Sequence, residues 1–150
     1  VALRRLGPPA WPELMRAANA PRGPVRRAAA LVLAEQGVPP VVPVLIDLLA
    51  EDPRDADLRR ELVVLTGVDF SEDVDPLGAW WDWWDRTPKE DSRAWLRAAQ
   101  EAEGLPVGPL DGWSGEGTRE GALSLLASIE HGSGPLSTRA ARELGTLIGE

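Results

Sequence analysis

Apolar residues recur along most of the chain at the three- and four-residue spacing of an α-helix, and not in the alternation of a half-buried strand. The full i, i+3, i+4, i+7 pattern occurs, for example, at Val42, Leu45, Ile46, Leu49 and at Ala122, Leu125, Leu126, Ile129. Together with shorter apolar stripes, this pattern predicts helices near 10–19, 24–36, 40–51, 57–66, 76–86, 88–103, 118–131 and 137–148.

Glycine and proline divide these helices at a regular interval. Gly7, Gly37 and Gly67 each follow an apolar stripe and are spaced by 30 residues. Glycine is common just past a helix end, where the backbone turns left-handed, and proline suits the first turn of the next helix. Three prolines and a following apolar pair recur at an offset of 31, in 8–15 and 39–46. The interval therefore predicts a repeated helix pair.

The residues of the second repeat carry a family resemblance. A Val25-Arg26 pair begins its second helix, alanines 28–30 form a small-residue face, Gly37 closes the helix, and an apolar helix follows over 41–49. This arrangement resembles the short HEAT-like repeat of bacterial proteins, which belongs to the armadillo-like α-solenoids. The resemblance covers 1–67 well and 118–149 loosely, and Asn19-Ala20-Pro21 departs from it where an Asp often lies.

The resemblance implies an all-α fold, an α-solenoid of stacked antiparallel helix pairs with about eight helices. We expect HEAT-like repeats in 1–67 (the first one partial), a Trp-rich helical segment in 68–103, a Gly/Pro-rich loop in 104–117 and a further helix pair in 118–150. The apolar segment 28–34 predicts a helix covered by neighbours on every side. Both ends look cut, so we expect a piece of a longer array that self-associates through its uncapped ends.

Two helix starts are predicted around a tryptophan cluster. Asp75-Pro76 supplies a cap and a first-turn proline, and 87–90 reads Thr-Pro-Lys-Glu, a capping-box pattern that predicts a helix start near 88. Leu77, Trp80, Trp81 and Trp84 share one helical face about 100° wide, so the sequence predicts that they are buried. Trp83 lies outside that face and is predicted to be more exposed. The alternative is that Trp80–Trp84 forms an aromatic platform for a peptide or a carbohydrate.

Charge is distributed unevenly along the chain. Residues 1–46 hold six Arg and two Glu, a net charge of +4, whereas 47–91 hold fourteen acids and five bases, a net charge of −9. The whole chain carries −8, which opposes nucleic-acid binding because phosphate contacts need clustered Lys and Arg. Candidate contacts for a protein partner are Trp83, Arg22, Arg27 and Arg60, whereas Arg26 matches the arginine of the repeat and is expected to make a contact within the array.

Catalytic chemistry finds little support in the sequence. There is no Cys and His131 is the single His, so a common zinc site and a Cys nucleophile are excluded, and nothing identifies a partner for a Ser-His-Asp triad. The sequence predicts no cofactor and no membrane span. It does not identify the cellular compartment, although the cytoplasm is slightly favoured. The expected function is a non-catalytic protein-protein interaction or scaffold module. The alternatives are a carbohydrate- or peptide-binding domain using the Trp cluster, and an accessory subunit of an enzyme, since some HEAT-like repeats are similar to bilin lyase subunits.

Overall fold

The computed structural model of the 150-residue chain describes residues 11–20, 24–108 and 116–149. These residues contain α-helices, one short 3-10 helix over Pro39–Val41, and no strand. The α-helices of this described part are α1 Trp11–Ala18, α2 Pro24–Glu35, α3 Val42–Glu51, α4 Ala56–Thr66, α5 Pro76–Arg86, α6 Arg93–Ala102, α7 Glu116–His131 and α8 Gly134–Gly149. The predicted all-α fold class with about eight helices is confirmed for the described residues.

Two helices of the described part begin three or more residues from the position that the sequence predicted. α6 begins at Arg93 and not near 88, because Thr87 does not cap it. The Thr87 hydroxyl instead donates to the carbonyl of Trp83 at the end of α5, so the capping-box interpretation was wrong. α8 begins at Gly134, three residues before the predicted 137, because the hydroxyl of Ser133 accepts from the backbone N–H of Leu136 in its first turn.

The predicted glycine stops at two helix ends are confirmed. Gly37 and Gly67 have φ of 73° and 77°, in the left-handed region that glycine enters without steric cost. At Gly37 the N–H of Val38 reaches back to the carbonyl of Leu33, and the N–H of Gly37 to that of Ala34. These bonds satisfy helix-end carbonyls in the Schellman pattern, so α2 ends here and the chain turns toward α3.

The first of two compact units comprises residues 1–62 and 69–92. Within it α1 packs on α2, α2 on α3, and α3 on α5. Its fully buried side chains include Leu33, Leu45, Ile46, Leu62 and Trp80. The expectation that the apolar segment 28–34 is covered on every side was wrong, because Ala28 is exposed. Alanine is the best helix former even where packing does not call for it, so an alanine-rich helix is not necessarily enclosed.

The second unit comprises residues 63–68 and 93–150. The helices α7 and α8 form an antiparallel pair, and α6 packs on α8. Its core holds Leu96, Ala99, Leu125, Leu136 and Ala140. A polar contact also lies inside, because the amide of the fully buried Gln100 donates to the Ser128 hydroxyl at 3.0 Å. No helix in the described part of the chain is both long and apolar enough for a membrane span.

Candidate functional site

The start of α5 is fixed by Asp75, as the sequence predicted. Its carboxylate accepts from the backbone N–H of Gly78 at 3.1 Å, and Pro76 occupies the first turn. A Cβ at position 78 would lie 2.2 Å from an oxygen of the same carboxylate. Glycine at 78 therefore lets the capping carboxylate fold over the first turn of α5.

Trp80 anchors α5 to the first unit. Its side chain is 1% exposed and makes an edge-to-face contact with Phe70, with ring centroids 5.6 Å apart. Such aromatic pairs stabilise by about 0.5–1.5 kcal/mol beyond the buried area. The predicted burial of Trp80 is confirmed.

The neighbouring indoles are less buried than the sequence predicted. Trp81 and Trp84 are only half-buried, and so is Trp83, so the expected contrast between a buried face and an exposed Trp83 was wrong. The reason is geometric, because α5 packs mainly against α3. One neighbouring helix covers only part of the circumference of α5, and Trp80 is the indole that is fully buried. The other three indoles lie around it and keep part of their surface accessible.

The exposed side of α5 combines acids with one of these indoles. Asp82 and Asp85 are exposed, and Gly78 and Trp81 lie beside them at the i, i+3, i+4, i+7 spacing that makes helix residues neighbours. We call these four residues, Gly78, Trp81, Asp82 and Asp85, the acidic aromatic patch. Trp83 lies about 200° from Trp81 around the helix, on the far side of the two acids and beside Arg86. The patch is therefore an indole next to two carboxylates, with a glycine in place of a bulky side chain.

Cations near α5 contact its rings and carbonyls. The ammonium of Lys89 lies 4.9 Å from the centroid of a Trp84 ring and donates to the carbonyl of Thr87. The guanidinium of Arg86 donates to the backbone carbonyl of Asp82. The described structure thus contains a cation–π contact on the same helix as the patch.

Arg27, a predicted partner contact, is engaged within the chain. Its guanidinium donates two hydrogen bonds to Asp55, at 2.8 and 3.0 Å, and a longer one to Asp57. The hydrogen bond to Asp55 raises the pKa of Arg27, and the same bond lowers the pKa of Asp55. Asp55 also accepts from the N–H of Leu58, so it caps α4 while it pairs with α2.

The other predicted contacts differ in their surroundings. Arg60 lies 3.4 Å from Asp57 and 3.8 Å from the buried Glu61. Arg22 lies outside the described residues. Arg26 makes the contact within the repeat that the sequence predicted, donating to the carbonyl of Ala18 and pairing with Glu51.

The helix pairs and punctuation of the first unit correspond to a known repeat. Residues 1–65 match the family of HEAT repeats. No curated protein and no solved structure matches the chain. The predicted HEAT-like character is confirmed over these residues, whereas its extension to 118–149 stays a prediction. The HEAT-repeat match contains Arg27 and Asp55 and ends before α5.

The described residues hold no cluster of three or more His, Cys, Asp or Glu that could bind a metal ion. His131 is exposed at the end of α7, with Nε2 3.6 Å from the carboxylate of Glu130. The patch was not predicted from the sequence, because the tryptophans of α5 were considered without the acids beside them. The spacing of Asp82 and Asp85 relative to Trp81 was the signal that could have revealed it.

Proposed function

We propose that the chain is a non-catalytic protein-interaction module that contacts a protein partner with the exposed side of α5. The observation that carries the proposal is the match of residues 1–65 to HEAT repeats. Stacked helix pairs present extended surfaces of fixed shape, and such surfaces suit macromolecular partners better than small substrates. The family supports interaction in general, and the choice of α5 is our inference.

The tryptophans of α5 support that choice. Trp81 and Trp83 lie on opposite edges of the exposed side and are both half-buried. A half-buried indole is held in place by its neighbours and still offers contact area, so it loses little conformational entropy on binding. Tryptophan is accordingly enriched among the residues that dominate binding energy at interfaces. Trp83 therefore remains a proposed contact, and Trp81 joins it.

The predicted arginine contacts fit the proposal less well. Arg27 and Arg60 already lie beside carboxylates of the chain, and a partner would have to compete with those pairs. Trp80 is not a contact in this proposal, because its side chain is almost completely buried.

The test starts with affinity purification of the chain from the cells that produce it. A partner recovered in stoichiometric amount is then purified separately and titrated into the chain by calorimetry. We expect a defined complex, and we expect Trp81→Ser with Trp83→Ser to weaken it by about tenfold or more, as loss of interface aromatics does. Trp80→Ser is unsuitable, because removing a buried Trp would unfold the first unit.

Leu123→Ser is the matched control, since Leu123 is an exposed apolar residue, 54% accessible, on α7. The control should leave the affinity within about twofold, because scattered surface leucines contribute little. If purified candidate partners form no complex with the wild-type chain, the proposed function is wrong. If Leu123→Ser weakens the complex and the α5 variant does not, the contact surface lies elsewhere.

A further inference from the structure

The two carboxylates of the acidic aromatic patch lie where helix stability disfavours them. Asp85 is in the last turn of α5, near the negative end of the helix dipole, and Asp82 lies three residues before it. Like charges at this spacing repel each other. Neither side chain caps a turn or makes an ion pair among the described residues, in contrast to Asp75, which caps α5. Stability alone does not explain these two acids, and residues that oppose local stability are typical of functional surfaces.

The surrounding segment adds to the negative charge. Residues 69–91 contain eight acids and two bases, a net charge of −6, and all eight acids are exposed. Of the two bases, Arg86 bonds to a backbone carbonyl, and Lys89 lies over Trp84. A net charge of one sign attracts a ligand of the opposite sign and increases its association rate.

Lys89 shows which ligand chemistry an α5 indole accepts. Its ammonium, held at 4.9 Å from the Trp84 ring centroid, is a cation on an aromatic ring next to acidic residues. Trp81 is also half-buried, with Asp85 four residues further along the same helix face. A guanidinium there would contact the indole and a carboxylate together, which combines cation–π attraction with a charge-assisted hydrogen bond.

We propose that the acidic aromatic patch binds an arginine- or lysine-rich segment of a protein partner. The inference rests on the proposed function and specifies the chemistry of the partner. Asp82 and Asp85 bind the cationic head groups, and Trp81 packs against a guanidinium or the aliphatic stem of a lysine. The ammonium of Lys89 competes weakly with the ligand, because the same negative charge attracts it and it occupies the neighbouring Trp84 ring.

The experiment uses the full chain and a fluorescent peptide of alternating Arg and Gly, with binding measured by anisotropy at low salt. We expect saturable binding that weakens as salt is added, because the attraction is screened. A peptide with citrulline in place of Arg has the same shape without the charge, and it should bind at least about tenfold more weakly. Equal binding of the two peptides would overturn the proposal.

Variants locate the binding to the patch. The double variant Asp82→Asn, Asp85→Asn should weaken the affinity for the Arg peptide by about tenfold. The control double variant Glu101→Gln, Glu120→Gln replaces two exposed acids on α6 and α7. It should change this affinity by less than about twofold. Trp81→Leu should weaken binding about three- to tenfold and Trp83→Leu should not, since Trp83 lies beside Arg86. Lys89→Ala should strengthen binding about two- to threefold, because it removes a competing cation.

Circular dichroism of each variant verifies that it is folded before its affinity is interpreted. Equal losses for the two acid pairs would mean that net charge alone attracts the peptide, and the proposed patch would be wrong. If the Arg peptide fails to bind while the purified partner still binds through α5, the inference fails and the proposed function stands. If neither binds, both fail.

Discussion

At the scale of single residues, Asp55 has two structural roles that mutation can separate. It caps α4 through the N–H of Leu58 and accepts both guanidinium bonds of Arg27 from α2. Loss of a cap costs about 0.5–2 kcal/mol and a partly exposed ion pair about 0.2–1 kcal/mol. Asp55→Ala should therefore lower the free energy of unfolding by about 1–2 kcal/mol. Asp55→Asn should cost less than half of that, because asparagine also caps helices. Chemical denaturation measures both variants.

The pair also predicts a pH dependence. The folded-state pKa of Asp55 is lowered, mainly by the hydrogen bond from Arg27. The contribution of Asp55 to the free energy of unfolding is therefore complete above the unfolded-state pKa, near the ordinary value of 3.8. This contribution is lost as the pH falls from there toward the folded-state pKa. In Arg27→Gln the difference in stability from wild type should shrink as the solution is acidified through this range. A difference independent of pH between 5 and about 2 would contradict the role assigned to the pair.

At the scale of the helical elements, α5 is less stable than the same helix would be without the charges of Asp82 and Asp85. Asp82 and Asp85 repel each other, which costs about 0.2–0.5 kcal/mol. Asp85 also opposes the helix dipole, which costs about 0.3–1 kcal/mol. Asp82→Asn with Asp85→Asn should therefore raise the melting temperature by about 2–4 °C. Differential scanning calorimetry measures the shift at low salt, and added salt should reduce it. An unchanged or lower melting temperature would mean that the two acids make stabilising contacts and are not reserved for a ligand.

The elements also show which features of the fold could be predicted from sequence. The start of α5 at Asp75-Pro76 and the ends at Gly37 and Gly67 were predictable, because capping and left-handed turns depend on residues adjacent in the chain. The start of α6 was not, because the hydroxyl of Thr87 serves the end of the preceding helix. The local sequence is equally compatible with a threonine that caps the next helix and with one that bonds to the end of the preceding helix. Tertiary structure determines which of the two forms.

The burial of the tryptophans was missed for a related reason. Helical periodicity assigned Trp80, Trp81 and Trp84 to one face, but it does not say how wide an arc the neighbouring helix covers. Of these three, Trp80 alone is fully buried, in edge-to-face contact with Phe70. The candidate surface could be predicted only in part, since Trp83 was identified from its angle whereas no sequence pattern singled out Asp82 and Asp85 beside Trp81.

At the scale of the whole molecule, charge and repeat architecture point to the same class of partner. The chain carries a net charge of −8, and its most acidic segment surrounds α5. Phosphate-rich partners are disfavoured by this charge, whereas a cationic protein segment is favoured. Self-association through the ends stays a prediction.

The central claim is that α5 contacts the partner with its exposed side while Trp80 holds it to the first unit. The most direct test is a titration of the isotope-labelled chain with the unlabelled purified partner, followed through the indole N–H signals in two-dimensional NMR. The account predicts that the signals of Trp81 and Trp83 shift or broaden, while those of the buried Trp80 and Trp95 change little. Shifts confined to Trp95 or to helices other than α5, with Trp81 and Trp83 unaffected, would contradict it.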